Sequence, residues 1–335
     1  MIRRQRWMLW YVLMGLPAAM GAQLRAADVP PHTCIRDVIY GRKVGLALTM
    51  EVFQPKEKTN GAALLLLLSG DWMSPEEPFR PEGVAEFLGR GYTVFAVCHG
   101  SCPAFPVDEI VPDIHRAVRY VRHHAKEYKV DPNRLAIFGI SSGGHLAAHV
   151  GVSGGDGPPF PKPDFTGSGR YDPIEVEQSS KVAAFVSVCG PTDLLNYEAE
   201  GKSILEFRLP SAIRQKAKDQ HITAPFEFRD FNRKSYKFER VRDADEIKRR
   251  LKALSPVSLV SAKSAPGLLI HGEKDENVPV RQAEALAGRL REAGVAVDLV
   301  IRKGVGHGVY HGREDDKVIA DWLDKRLNLR KSEGK

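Results

Sequence analysis

The sequence is poor in the features that define several common classes of protein. It has only four cysteines in 335 residues, and none stands at zinc-ligand spacing with histidines, so we expect no metal. We expect no cofactor either. It shows no internal repeat and no low-complexity tract, which argues against a repeat architecture. The hydrophobic fraction of 43% and the charged fraction of 27% are ordinary, so a core can form without a metal or disulfide framework.

The chain also lacks a clustered basic region of the kind that binds nucleic acid. Its formal net charge is +7, but residues 1–26 hold four of the 49 basic residues and no acid. Without that segment, 45 basic residues face 42 acids, a net charge of +3. Because the basic character lies largely at the N-terminus, we expect no nucleic-acid partner.

The N-terminus has the layout of a secretory signal peptide. A cationic start (Arg3, Arg4 and Arg6) precedes the nearly apolar run 7–22, and small residues follow. The run is short for a membrane span of about 20 residues. We therefore predict a signal peptide at 1–26, a secreted or periplasmic protein, and no stable membrane insertion after cleavage; an uncleaved anchor is the alternative. In an exported protein Cys98 and Cys102 are close enough to form a local disulfide bridge.

Short apolar runs alternate with helix-like segments through the rest of the chain. This pattern predicts an α/β fold, with a mostly parallel central sheet and helices on both faces, as one domain over residues 27–335. Leu48–Val52 alternates apolar and polar residues as an edge strand would. The other predicted strands are 62–68, 93–98, 135–138, 182–188, 268–270 and 295–301, and the predicted helices are 81–90, 107–128, a helix from 143, 279–294 and 314–328.

Two segments interrupt this rhythm. Residues 152–180 are rich in glycine, proline and aspartate and are interpreted as a long loop. Residues 199–254 carry an excess of basic residues and six aromatic residues. An insertion between two strands of such a sheet is naturally a lid or cap over its C-terminal edge, where α/β sheets bind ligands. The alternative is a solvated decoration that packs its aromatic rings on the core.

A glycine-flanked serine follows the predicted strand 135–138. The run Gly139-Ile140-Ser141-Ser142-Gly143 lies between this strand and a helix, as a nucleophile elbow does. A sharp strand-to-helix turn presents the serine, and the helix N-terminus directs N–H groups at the developing negative charge. Ser141 is the predicted nucleophile, and Ser142 is the alternative.

The partners of such a serine follow it in the order acid, histidine. Asp275 lies in the loop after the predicted strand 268–270, and Glu273 and Glu276 are its rivals. His307 lies in a glycine-rich loop after the strand 295–301, with His311 as its rival. In this set His307 moves the proton, and Asp275 fixes its tautomer and stabilises the imidazolium.

Residues 35–328 resemble the carboxylesterases of the α/β-hydrolase superfamily, particularly the acetyl- and feruloyl-esterase-like group called BD-FAE. The matching stretches are Asp131-Pro132-Asn133-Arg134, Gly139 to His145, Gly190-Pro191-Thr192-Asp193, His271-Gly272 with Asp275 and Val278-Pro279, and Gly306-His307-Gly308. The resemblance implies the α/β-hydrolase fold and a serine carboxylesterase with Ser141, Asp275 and His307 as its catalytic triad.

The sequence departs from this group in one loop. Such esterases usually carry His-Gly-Gly, often followed by Trp, in the loop that donates oxyanion-hole N–H groups. Here the run is Ser69-Gly70-Asp71-Trp72. The resemblance implies the backbone N–H groups of Gly70, Asp71 and Ser142 as donors, and Trp72 as a substrate contact. A carboxylate beside an oxyanion site is unfavourable unless it points away, which makes Asp71 the exceptional member.

These features together predict an exported serine esterase that acts through an acyl-enzyme on small-molecule or carbohydrate esters, with acetyl or feruloyl esters suggested by the resemblance. The alternatives are an arylformamidase-like amidase, a peptidase related to prolyl oligopeptidase, and, from another class, a catalytically inactive binding protein. The altered oxyanion loop is the main hint of the last, and the complete triad argues against it.

Overall fold

The computed structural model describes residues 29–155, 178–207, 224–232 and 234–329. The predicted signal peptide at 1–26 lies outside these residues, as does most of the loop predicted at 152–180. Within them the prediction of a mostly parallel sheet with helices on both faces is confirmed. No helix of the described ranges is both long enough and apolar enough to cross a bilayer.

Eight strands form the main sheet, in the order β1-β2-β4-β3-β5-β6-β9-β10, and β7 and β8 form a separate hairpin. The strands β1 to β6 are His32–Lys43, Leu46–Pro55, Ala63–Leu67, Thr93–Val97, Leu135–Ile140 and Ala184–Val188. The strands β7 to β10 are Arg229–Asn232, Lys237–Arg240, Gly267–Gly272 and Val297–Arg302. The helices α1 to α7 are Ala85–Gly89, Val107–His123, Ser142–Val152, Ala244–Leu254, Pro256–Leu259, Arg281–Glu292 and Arg313–Arg326, with 3₁₀ turns at Pro81–Val84 and Ala224–Phe226.

The central strands are apolar throughout because both faces of the sheet are covered. In β3 the residues Ala63, Leu65 and Leu67 join the core with α2, α3 and α6, whereas Leu64 and Leu66 join the core with α1 and α7. Strands β3, β4, β5, β6, β9 and β10 run parallel. Their carboxyl ends therefore meet at one edge, which is where the loops with the predicted site residues lie.

The prediction of an edge strand at Leu48–Val52 is wrong. This segment belongs to β2, which pairs antiparallel with β1 on one side and with β4 on the other. The true edge is β1, His32–Lys43, whose side chains are mostly exposed. An exposed strand with two register irregularities has no clean two-residue alternation, so its sequence lacks the usual signal of a strand.

The described part of the inserted segment 199–254 contains the β7–β8 hairpin and α4. Its six aromatic side chains differ in burial: Phe207, Phe226 and Phe228 are buried, Phe231 is half-buried, and Tyr236 and Phe238 are exposed. Asp243 caps α4, because its carboxylate accepts a hydrogen bond from the Glu246 amide at 2.8 Å. The segment therefore packs some rings inward, as a decoration would, and leaves a second group in solvent.

All four cysteines are free thiols in the structure. Cys98 and Cys102, whose spacing allowed a bridge, are not joined. Cys189 directly follows β6 and is fully buried, where it packs as a small core side chain.

Candidate active site

A strained turn joins β5 to α3 and carries Ser141 at its tip. Ser141 has φ 55° and ψ −122°, a conformation that costs about 1–3 kcal/mol and persists only where the surroundings enforce it. A Cβ atom on Gly139 would lie 2.2 Å from the carbonyl oxygen of Gly143. Glycine is therefore required at position 139, since the strand end and the first turn of the helix touch there.

The structure brings Ser141, His307 and Asp275 together, although they come from three separate loops. His307 Nε2 lies 3.0 Å from Ser141 Oγ, and His307 Nδ1 lies 2.8 Å from Asp275 Oδ2. In this arrangement the serine hydroxyl donates to Nε2 and the Nδ1–H donates to the carboxylate. Both distances are suited to the transfer of a proton from the serine to the imidazole.

The Asp275 carboxylate is held on both of its oxygens. Oδ1 accepts from the Asn277 and Val278 amides, each at 2.9 Å, and Oδ2 faces His307. Burial opposes ionisation of this group, but hydrogen bonds from His271 and His307 outweigh it and lower the pKa of Asp275 below its usual range. The rivals Glu273 and Glu276 are exposed, so the structure places Asp275 alone of the three beside His307.

The electrostatic environment of His307 favours the imidazolium. Burial opposes protonation, but the hydrogen bond to Asp275 and the neighbouring Cys189 thiol outweigh it and raise the pKa of His307 above its usual range. An imidazole so poised accepts a proton readily and stabilises the resulting charge. The rival His311 donates its main-chain N–H to Asp315 at 2.5 Å, whereas the ring that contacts both Ser141 and Asp275 is that of His307.

Cys189 is a neighbour of this group that the sequence reasoning did not assign to the site. It directly follows β6, has φ 43°, and its Sγ lies 3.7 Å from the His307 carbonyl oxygen. Its position at the carboxyl end of a central strand is the signal that could have placed it here. Among the described residues, Cys189, Asp275 and His307 form the group whose ligand atoms, all within 4.8 Å of one another, could hold a metal ion. In the structure the facing atoms of Asp275 and His307 are hydrogen-bonded to each other.

The oxyanion loop differs from the expectation at Gly70. The Gly70 amide donates to the Met73 carbonyl at 3.0 Å, and the Met73 amide donates back at 2.9 Å. This two-way bridge occupies the Gly70 N–H, so the prediction of Gly70 as an oxyanion donor is corrected. Ser142 is the first residue of α3, where helical amides have no acceptor within the helix. Its hydroxyl lies 3.0 Å from Ser69 Oγ, away from the histidine.

Asp71 follows Gly70 in a left-handed conformation, with φ 51°. Solvent reaches its side chain, yet surrounding protein displaces part of the water around the carboxyl. This burial raises the pKa of Asp71, and the nearby charge of His307 opposes the rise. Asp71 therefore shares the electrostatic environment of the histidine and lines an open part of the site.

Trp72 was predicted to contact the substrate, but in the structure its side chain is buried. Its side chain is 4% exposed, its indole N–H donates to His145 Nδ1 at 3.0 Å, and its ring packs on Phe226 at 5.1 Å. An indole surrounded in this way supports the loop from beneath. The correction arises because Phe226, which is distant in sequence, covers the ring.

Two buried histidines connect this loop to the end of the inserted segment. His145 accepts from Trp72 at Nδ1, so its Nε2–H donates to the Leu254 carbonyl at 2.8 Å. His149 Nε2 donates to the Ala253 carbonyl at 3.2 Å. These carbonyls end α4 and lack partners within the helix. Burial lowers the pKa of His145 to about 3 and of His149 to about 4, so both remain neutral donors in the folded protein.

This histidine pair predicts acid destabilisation. The unfolded chain protonates each imidazole below about pH 6.5, whereas the folded chain does not do so until the pH nears the lowered pKa. The contribution of the two histidines to the free energy of unfolding is therefore fully present above about pH 6.5 and is lost as the pH drops. We expect His149→Gln to make the loss shallower by about 1.4 kcal/mol per pH unit between pH 6 and 4.5. Urea unfolding over a pH series measures it, and an unchanged slope would contradict the assignment.

The fold and this serine–histidine–carboxylate arrangement define an α/β-hydrolase. The model of the BD-FAE family matches residues 50–290, and the chain belongs to that family. Esterase LipQ of Mycobacterium tuberculosis is 27% identical over 70% of this chain. Two solved structures share the fold. A truncated carbohydrate esterase from gut microbiota has a TM-score of 0.67 and is 22% identical, and the match covers 90% of this chain and 99% of that one. The esterase Est2 of Thermogutta terrifontis has a TM-score of 0.63 and is 21% identical, and the match covers 89% of this chain and 94% of that one.

The chain is shorter than the curated relatives. The matches cover 46% of LipQ, 51% of the probable carboxylic ester hydrolase LipM and 59% of the esterase LipC, all of Mycobacterium tuberculosis. The chain thus spans about half the length of these proteins.

Proposed function

We propose that this protein is an exported serine carboxylesterase with Ser141, His307 and Asp275 as its catalytic triad. The observation that carries the proposal is the continuous hydrogen-bonded chain from Ser141 Oγ through His307 to Asp275. Membership of the BD-FAE family and similarity to named esterases support it. Export rests on the sequence pattern of residues 1–26.

The reaction proceeds through an acyl-enzyme. As Ser141 Oγ attacks the acyl carbon, its proton passes to His307 Nε2. Collapse of the tetrahedral intermediate breaks the bond to the alcohol oxygen, which takes the proton from the imidazolium. A water molecule then repeats the sequence on the acyl-serine and releases the acid. The amides of Asp71 and Ser142 are the proposed oxyanion donors, and losing one such donor typically costs about 2.7–4 kcal/mol of transition-state stabilisation.

The proposed substrates are acetyl or feruloyl esters of carbohydrate. Support comes from the family and from the solved neighbour described as a carbohydrate esterase. We further propose that the segment 199–254 caps the site within a single domain. Its buried Phe226 packs on Trp72, and Phe207 packs on Tyr197 at 4.9 Å. Tyr197 in turn donates to the carbonyl of Asn277, in the Asp275 loop, at 2.7 Å.

Covalent labelling tests the nucleophile directly. We expect paraoxon to lose p-nitrophenolate to attack by Ser141 Oγ and to leave one diethylphosphoryl group on the peptide that contains Ser141, since a raised basicity of His307 activates that hydroxyl alone. Mass spectrometry of a digest locates the group, and hydrolysis of p-nitrophenyl acetate is followed in parallel. Label on Ser142 would reassign the nucleophile. If the protein is neither labelled nor able to hydrolyse the ester, a catalytically inactive binding protein would be favoured.

A further inference from the structure

The β7–β8 hairpin has two chemically different faces. Cross-strand partners are Phe231 with Phe238, Arg229 with Arg240, Asp230 with Glu239 and Asn232 with Lys237. Because side chains alternate along a strand, the first two pairs share one face and the last two share the other. We call the first of these, together with Tyr236, the aromatic–arginine face.

The acids of the opposite face are already engaged. Both oxygens of Asp230 accept from Arg250 of α4 at 2.8 Å. Glu239 accepts from the Asn232 amide group at 3.0 Å and from the Ser235 hydroxyl at 2.8 Å. The acidic charge of the hairpin is therefore held on the side away from the aromatic rings.

The rings of the aromatic–arginine face form a cluster that solvent reaches. The Phe231 centroid lies 5.3 Å from that of Phe238 and 6.0 Å from that of Tyr236. The Tyr236 side chain is 80% exposed and that of Phe238 is 51% exposed. Exposed apolar clusters rimmed by polar residues mark binding surfaces. Within the ranges that the structure describes, Arg240 forms an ion pair with Glu227 at 3.5 Å, and both side chains are exposed, so this pair is weak and a polyanion can displace it.

The hairpin stands next to the oxyanion loop. Arg229 donates to the Pro103 carbonyl, and the adjacent Cys102 amide donates to the Trp72 carbonyl at 3.0 Å. A second connection runs through Phe226, whose ring lies 6.5 Å from that of Phe228, at the base of the hairpin. A polymer lying along the hairpin is therefore close to the loop that contains Asp71.

We propose that the aromatic–arginine face binds an anionic polysaccharide and presents the esters it carries to Ser141. The aromatic rings stack on the apolar C–H faces of sugar rings, and Arg240 pairs with carboxylate or sulfate groups. This inference rests on the proposed carbohydrate esterase function and names its substrate class. Uronate and sulfate groups have the same negative charge, and the experiments below distinguish them by using one polymer that carries uronate and another that carries sulfate.

Kinetics with a matched control test the role of the face in turnover. We expect the double variant Tyr236→Ala/Phe238→Ala, and separately Arg240→Ala, to raise KM for acetylated glucuronoxylan about tenfold, which is 1.4 kcal/mol. Both should leave kcat/KM for p-nitrophenyl acetate unchanged, because these side chains belong neither to the Ser141–His307–Asp275 chain nor to the oxyanion loop. The control is Lys237→Ala, which removes a cation from the opposite face of the same hairpin and should behave as wild type. Equal KM values in all four proteins would overturn the proposal.

Binding without catalysis separates this proposal from the esterase function. We expect deacetylated glucuronoxylan to retard wild type and Lys237→Ala in affinity electrophoresis, and Arg240→Ala much less, with the retardation reduced at high salt. Dextran sulfate in a parallel gel distinguishes sulfate from uronate recognition. If wild type fails to hydrolyse p-nitrophenyl acetate but is still retarded more than Arg240→Ala, the docking face is retained and the esterase function is rejected. Co-sedimentation with phosphatidylserine vesicles, without retardation by either polymer, would assign the face to a membrane surface and overturn the proposal.

Discussion

The variant Ser141→Ala is expected to lower kcat for p-nitrophenyl esters by about 10⁴- to 10⁶-fold. The substitution removes the one oxygen that can form the acyl-enzyme, together with its 3.0 Å hydrogen bond to His307 Nε2. Alanine and serine both have a Cβ atom, so the strained backbone at φ 55° is no harder to adopt. Stopped-flow and steady-state assays measure the loss, and circular dichroism shows that the fold is retained.

The neighbouring serine provides the control for this experiment. Ser142→Ala removes a hydroxyl that interacts with Ser69 rather than with the histidine. It keeps the Ser142 main-chain N–H that is proposed to hold the oxyanion. We expect this variant to retain most of the activity. A larger loss in Ser142→Ala than in Ser141→Ala would reject Ser141 as the nucleophile.

The variant Asp275→Asn is expected to lower kcat by about 10⁴-fold with little effect on KM. The carboxylate accepts the Nδ1–H of His307 at 2.8 Å, which leaves Nε2 free to accept the serine proton. An amide that turns its NH₂ group toward the ring favours the other tautomer, whose Nε2 carries hydrogen and cannot act as a base. The remaining amide oxygen can still accept from Asn277 and Val278, so the loop should keep its shape.

Glu276→Gln is the matched control, since it makes the same chemical change at an exposed position one residue away. It should leave kcat unchanged. The pH dependence of kcat/KM adds a second readout: activity requires neutral His307 and is lost as the pH falls through its raised pKa. Asp275→Asn removes the carboxylate whose hydrogen bond is the largest of the contributions that raise this pKa, so the remaining activity should persist to lower pH. An acid limb at the same pH in both proteins would contradict the assigned partnership.

The sequence predicted much of the geometry at Ser141 because the determining interactions there are local. The strand, the two close glycines and the first turn of α3 are contiguous, and their pattern alone predicts a sharp turn with an exposed serine. The positions of Asp275 and His307 were predictable for a related reason. Each follows a buried apolar run, and parallel strands bring such loops to one edge of the sheet.

The oxyanion loop could not be predicted to the same degree. Whether the Gly70 amide is available depends on the turn that returns Met73 to it, and the residue types do not specify that turn. Trp72 has the composition of a substrate contact, but it is buried because Phe226, far along the chain, covers its ring. The edge position of β1 was missed for a different reason: its own sequence has no alternating pattern, because the strand is mostly exposed and irregular in register.

The sequence by itself determined the fold class, the elbow at Ser141 and the set of side chains that meets there. The alternation of apolar strand-like runs with helix-like segments constrains the fold, and the order of serine, acid and histidine along the chain constrains the site. Only the tertiary structure decided which amides remain free, which aromatic rings are buried and which reach solvent, and that Cys189 stands beside His307. These properties arise from contacts between residues distant in sequence, and each depends on distances of a few ångströms that no local pattern encodes.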